Sequence, residues 1–149
     1  MEKVLIIYGS KQGKTASMAS IISSTLDEKK IPVLCKNVYE ARVEELKDYK
    51  FIILGSSTWS DGDLQSDFID FEREMDDLNL KGHFGAVFGS GSSRFRFFCE
   101  AVRILEAKLR SLGSRIMLPS LMVNDLEGRL EDETREWAAV LADEIEQIS

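Results

Sequence analysis

Three short runs, "VLIIY" (residues 4–8), "FIILG" (51–55) and "GAVFG" (85–89), are apolar almost without interruption, and each leads into a glycine-led loop rich in hydroxyl side chains. A strand that is apolar at every position must be covered on both faces, which is the situation of a parallel sheet layered with helices. Two further strand-like runs, "IPVLCK" and the less regular "SRIMLPSLMV", bring the expected strands to five. The segments between them carry helical spacing. Residues 14–29 place Met18, Ile21, Ile22, Thr25 and Leu26 on one face and end in lysines that suit a helix C-terminus. Residues 40–46 give a brief helix at most. Further helices are expected over Ser66–Met75, over Phe97–Leu112 closed by Gly113, and over Glu131–Ile148. Alternation of this kind predicts one α/β domain spanning 1–149, with helices on both faces of a parallel sheet.

Bulk properties narrow the function. The chain has 149 residues, 44% hydrophobic and 30% charged, with two prolines and no low-complexity tract, as expected of a globular domain. A net charge of −7 disfavours nucleic-acid binding, which needs a basic face, and suits small ligands or basic protein partners. Met1-Glu2-Lys3 leads into a run too short for a signal-peptide core or a membrane span, so a cytoplasmic location without membrane attachment is expected. Cys35 and Cys99 lie far apart in apolar surroundings and read as reduced, buried thiols. With His83 as the single histidine, neither a zinc cluster nor a Ser/His/Asp arrangement is supported.

Ligands of doubly wound sheets bind at the carboxyl ends of the strands. The loops there are "GSKQGKT", "GSSTWSDGDLQ" and "GSGSSRFRF". In the first, Gly9 stands three residues before Gly13-Lys14-Thr15, one short of the triphosphate loop, and a missing residue changes the curvature on which backbone N–H groups converge. Ser10, Thr15 and the first amides of the helix instead suit a monophosphate. The plain alternative is a strand-to-helix turn with Ser10 as N-cap. In the second loop, Trp59 lacks apolar neighbours at regular spacing; it either covers a flat ligand or folds onto the core. In the third, Phe95 precedes the helical pattern and offers a second wall, while Phe98, with Val102 and Leu105, reads as core. Phosphate grip and aromatic walls describe a slot for a planar phosphorylated cofactor. Riboflavin phosphate suits it better than a dinucleotide, because no complete G-x-G-x-x-G follows the first strand.

Through "VLIIYGS", "ILGSSTW" followed by "LQSDFIDF", and "FGSGSSRFRFFCEAV", the chain resembles the flavodoxins along almost its whole length, in the short-chain form. The resemblance implies a five-stranded parallel sheet of order 2-1-3-4-5 and a monomeric electron carrier without substrate turnover, holding flavin mononucleotide (FMN) noncovalently. It implies that Ser10, Lys11, Gln12, Gly13, Lys14 and Thr15, with Ser57, hold the phosphate. Thr58, Trp59 and Ser60 would line one side of the flavin ring, and Ser90, Gly91, Ser92 and Phe95 the other, with Cys99 packed nearby. The partners implied are cytoplasmic oxidoreductases with basic patches, met by carboxylates such as Asp61, Asp63, Asp67, Asp70, Glu72, Glu74, Asp76 and Asp77; a solvated helix face is the plainer meaning of that run. Departures from the family pattern are Lys11 and Lys14 in the phosphate loop, Ser92 for an aspartate, Phe95 for a tyrosine, and Ser60-Asp61-Gly62 where a glycine usually follows the ring contact. Two other readings stand beside this one: a flavodoxin-like binding module that has lost FMN or takes another phosphorylated ligand, and, from Gly13-Lys14-Thr15 alone, a nucleotide-hydrolysing switch.

Overall fold

The computed structural model describes residues 3–9, 13–58, 66–94 and 98–149. Strand β1 (Val4–Gly9) is followed by α1 (Lys14–Glu28), β2 (Val33–Asn37) and β3 (Phe51–Ser56), then by α2 (Ser66–Glu74), β4 (Phe84–Gly91) and α3 (Glu100–Ser111). The chain closes with β5 (Arg115–Ile116), β6 (Leu121–Asn124) and α4 (Leu130–Ile148). The strands are parallel in the order β2-β1-β3-β4-β5, with β6 also paired to β4. This is the order that the resemblance implies.

Period-two alternation along the buried strands divides the core into two layers. Val4 and Ile6 of β1, Phe51 and Ile53 of β3, and Ala86 and Phe88 of β4 face α1 and α4, meeting Met18, Ile22, Leu141 and Ile145. Their neighbours Leu5, Ile7, Ile52, Leu54 and Val87 face the other way, against Phe68 and Phe71 of α2 and Leu105 and Leu109 of α3. Both faces being covered explains why the sequence shows no polar alternation in these strands.

Differences from the sequence reading have local causes. The expected brief helix around 40–46 is two 3-10 turns, Val38–Glu40 and Val43–Asp48. Helix α1 stops at Glu28, because Lys30 takes a left-handed conformation (φ 62°) from which Ile31 N–H reaches back to Leu26 O at 2.9 Å. Helix α3 starts at Glu100, since Cys99 at φ 52° interrupts helical geometry; the expected start, Phe97, lies outside the described residues. The fifth strand is two pieces separated around Pro119, which has no N–H to give a ladder. Trp137 on α4 holds that break: its Nε1–H donates to Pro119 O at 2.8 Å, and its ring lies 6.3 Å from that of Phe88. His83 ties the amino-terminal ends of β3 and β4, with Nδ1 2.6 Å from Tyr49 O.

Two glycines let layers approach closely. The Phe88 ring lies over Gly55, where a Cβ would fall 2.1 Å from the ring, and a Cβ on Gly89 would lie 2.3 Å from Ser56 O and 2.6 Å from Val102 Cγ2. At Gly89 the obstacle includes backbone, which cannot rotate away. Gly89→Ala is therefore expected to destabilise the chain by about 3 kcal/mol, the upper end of ordinary overpacking, measured as a lowered urea midpoint.

Candidate functional site

The carboxyl ends of β1, β3, β4 and β6 lie along one edge of the sheet, and the start of α1 faces the same edge. Gly13 caps α1 in the left-handed region (φ 86°), a conformation that costs glycine little, and the helix then opens with Lys14 and Thr15. A helix of 15 residues presents unsatisfied N–H groups and a positive dipole end there. Thr15 is fully buried and its Oγ1 has no hydrogen-bond partner. An unmade hydrogen bond in such a place is costly, and none of the described residues supplies the acceptor it calls for.

A second such atom lies across the edge. Asp125 follows β6, and its Oδ1 is buried without a partner, while Oδ2 lies 3.5 Å from Lys14 Nζ. The pair forms part of the wall of an open cleft of about 440 Å³ that Asn124, Gly128 and Leu130 also line. The same carboxylate faces Cys99. Burial pushes the Cys99 thiol up to about 12, Asp125 adding to the shift and Arg103 opposing it.

Between these points the β3 and β4 loops are tied together. Thr58 N–H donates to Ser90 O at 3.3 Å, and Thr58 Oγ1 accepts from Ala101 N–H at 2.9 Å, which satisfies an early amide of α3. Ser90 is itself buried. Gly91 carries the close approach of Cys99: a Cβ there would lie 3.1 Å from Cys99 N and 3.4 Å from its Sγ. Beyond Gly91, Arg94 N–H donates to Ser92 Oγ at 3.3 Å.

The residues singled out by sequence thus fall into groups. Gly13, Lys14 and Thr15 stand at the start of α1; Ser57 and Thr58 follow β3; Ser90 and Gly91 end β4, with Ser92 just beyond and Cys99 packed on Gly91. Ser10, Lys11, Gln12, Trp59, Ser60 and Phe95 lie outside the described residues. The hydroxyl of Thr58 caps α3, a role its position in the sequence did not indicate. Part of the acidic run has a structural use as well: Glu72, at 3.1 Å, and Asp76 both pair with Lys108, tying α2 to α3. Asn124 and Asp125 were missed. The signal was present in "MVND", polar residues at the carboxyl end of an apolar strand, as in the three loops already considered.

Known proteins resemble the chain in sequence and in fold. A family model described as Flavodoxin matches residues 6–137. Over 138 residues the chain is 38% identical to Probable flavodoxin 2 of Bacillus subtilis, which covers 89% of each chain. Over 148 residues it is 36% identical to a flavodoxin of Maridesulfovibrio salexigens, covering 97% of this chain and 100% of the relative. Among solved structures, oxidised Flavodoxin 2 from Bacillus cereus matches with a TM-score of 0.89 at 34% identity, over 95% of this chain and 98% of that one.

Replacing Thr15 by the isosteric valine removes a buried hydroxyl that has no partner. The ligand-free variant is expected to match the parent or exceed it by about 1 kcal/mol in urea denaturation, whereas a hydroxyl satisfied within the chain would give a loss.

Proposed function

This chain belongs to the flavodoxin family, and from that premise we propose that it carries electrons on one noncovalently bound FMN, without turnover of a substrate of its own. The observation that carries the proposal is the pair of orphaned atoms at the sheet edge. Thr15 Oγ1 and the α1 amides are donors facing a place where a phosphate would accept. Asp125 Oδ1 is an acceptor suited to a hydroxyl of a polyol chain. FMN brings a phosphate and a polyol chain in sequence, so the residues present fit it.

The roles of the chain's own groups follow. Gly13, Lys14 and Thr15 bind and orient the phosphate end, with Ser10, Gln12 and Ser57 assigned there by the family pattern and Lys11 by its place in the same loop. The family pattern assigns Thr58, Trp59 and Ser60 to one wall of the ring site, and Ser90, Gly91, Ser92 and Phe95 to the other. Gly91 brings the backbone of the second wall in close, and Cys99 fills the space behind it. The flavin, when bound, supplies the redox chemistry, and the protein sets its potentials through stacking, hydrogen bonds and charge.

The proposed partners are oxidoreductases with basic surface patches, met by a chain of net charge −7 acting as a monomer in the cytoplasm. Among the described residues no helix is long and apolar enough to cross a membrane.

The direct test is a visible absorption spectrum before and after addition of FMN and desalting. Flavin bands retained at about one flavin per chain are expected; a colourless protein that cannot retain FMN overturns the proposal and leaves another phosphorylated ligand to be sought at Lys14 and Thr15. A second test concerns charge at the ring. Ser92 stands where the family usually has an aspartate, so Ser92→Asp restores a negative charge that opposes reduction. Potentiometry is expected to give the variant a second one-electron potential several tens of millivolts more negative than the parent. An equal or less negative value would show that position 92 does not act on the flavin through charge.

A further inference from the structure

We propose that Asn124 and Asp125, adjacent at the end of β6, are positioning residues that lock the two ends of the candidate slot to one another. The consequence for cofactor binding rests on the FMN reading; the locking itself does not.

The Asn124 side chain has all four of its hydrogen-bonding positions filled. Its Oδ1 accepts from Ser93 N–H at 3.3 Å and from Leu126 N–H at 3.1 Å, while Nδ2 donates to Ser93 Oγ at 2.9 Å and to Glu127 Oε1 at 3.3 Å. Two of these partners are backbone donors and one is a carboxylate. A flipped amide would turn its NH₂ toward two N–H groups and its oxygen toward Glu127, so one orientation alone is allowed. Asn124 is paired with Gly91 in the sheet, and Ser93 lies in the turn that follows Gly91. The amide therefore fixes where the ring-side loop leaves β4.

The next residue reaches the opposite way. Asp125 Oδ2 meets Lys14 Nζ on the first residue of α1. A planar peptide joins the two side chains, and the 3-10 turn Asp125–Glu127, begun by the Asn124–Leu126 bond, holds both at a set angle. If the Asn124 amide is lost, that turn loses its N-cap and Asp125 loses its fixed position relative to Lys14. The ring-side loop and the phosphate-side helix are then no longer referred to one frame. Neither contact is strong alone, since a partly exposed ion pair and a neutral hydrogen bond each contribute modestly. Their significance is that both depend on one short segment.

The locking is testable in the flavin-free chain by amide hydrogen exchange resolved to single residues. Asn124→Ala is expected to raise exchange at Ser93 and Leu126 about tenfold, as for loss of hydrogen bonds worth roughly 1.4 kcal/mol. It is also expected to raise exchange at Ser17, whose N–H closes the first turn of α1 on Gly13 O, by about threefold, although Asn124 has no bond to that helix. Because coupling is reciprocal, Asp125→Asn is expected to raise exchange at Ser93 by about the same factor. Changes confined to residues 92–94 and 126 in the first variant, with Ser93 unmoved in the second, would overturn the proposal. Should Asn124→Ala fail to fold, Ser93→Ala removes only the 2.9 Å bond and gives the same reading at smaller amplitude.

With cofactor, the ratio of riboflavin to FMN dissociation constants isolates the phosphate end. Asn124→Ala is expected to lower that ratio about threefold, the value set by the same coupling, even though its own bonds lie on the ring side; an unchanged ratio would also overturn the proposal. A parent chain that retains no FMN but shows the exchange coupling would overturn the cofactor reading and leave the locking intact.

Discussion

Everything at the candidate site depends on the double-sided burial of β1, β3 and β4. Residues Val4 through Ile7 and Phe51 through Leu54 are fully inaccessible to solvent, held between α1 and α4 on one side and α2 and α3 on the other. With both faces covered, the strands can offer a ligand only their ends. Parallel pairing then puts all the carboxyl ends at one edge, so loops far apart in the chain are brought together without any of them needing to be stable alone. The cost of burying so much backbone is offset by ladder hydrogen bonds that pair each strand along its length.

The fold was legible because its signals are periodic or compositional. Apolar runs located four strands closely, and α4 began within one residue of the expected Glu131. The errors cluster where single residues override a pattern. Cys99 adopts a left-handed conformation that costs a non-glycine residue energy, and no local sequence rule announces it. Pro119 was visible, but "SRIMLPSLMV" read as one strand because its apolar content continues across the proline. The break is fixed by a bond from Trp137, a residue on a different element.

The site was legible at the level of loops and less so at the level of roles. Glycine and hydroxyl content identified the strand ends, since such residues suit both turns and polar ligands. What individual side chains do there depends on tertiary neighbours. The Thr58 hydroxyl is spent on an α3 amide, Lys14 pairs with Asp125, and Asn124 answers to Ser93, 31 residues away. These pairings join segments whose proximity only the assembled sheet creates. The orphaned oxygens of Thr15 and Asp125 are likewise invisible in sequence, because being unpaired is a property of surroundings.

Burial also decides what the sulfur atoms can do. Desolvation pushes Cys35 up to about 11 and Cys99 to about 12. Near neutral pH both thiols therefore stay protonated, with little of the nucleophilic thiolate. A reactive thiol at this edge of the sheet would open a route to sulfenic acids and mixed disulfides. The packing that seats Cys99 against Gly91 therefore works as chemical insulation, closing that route at this end of the sheet.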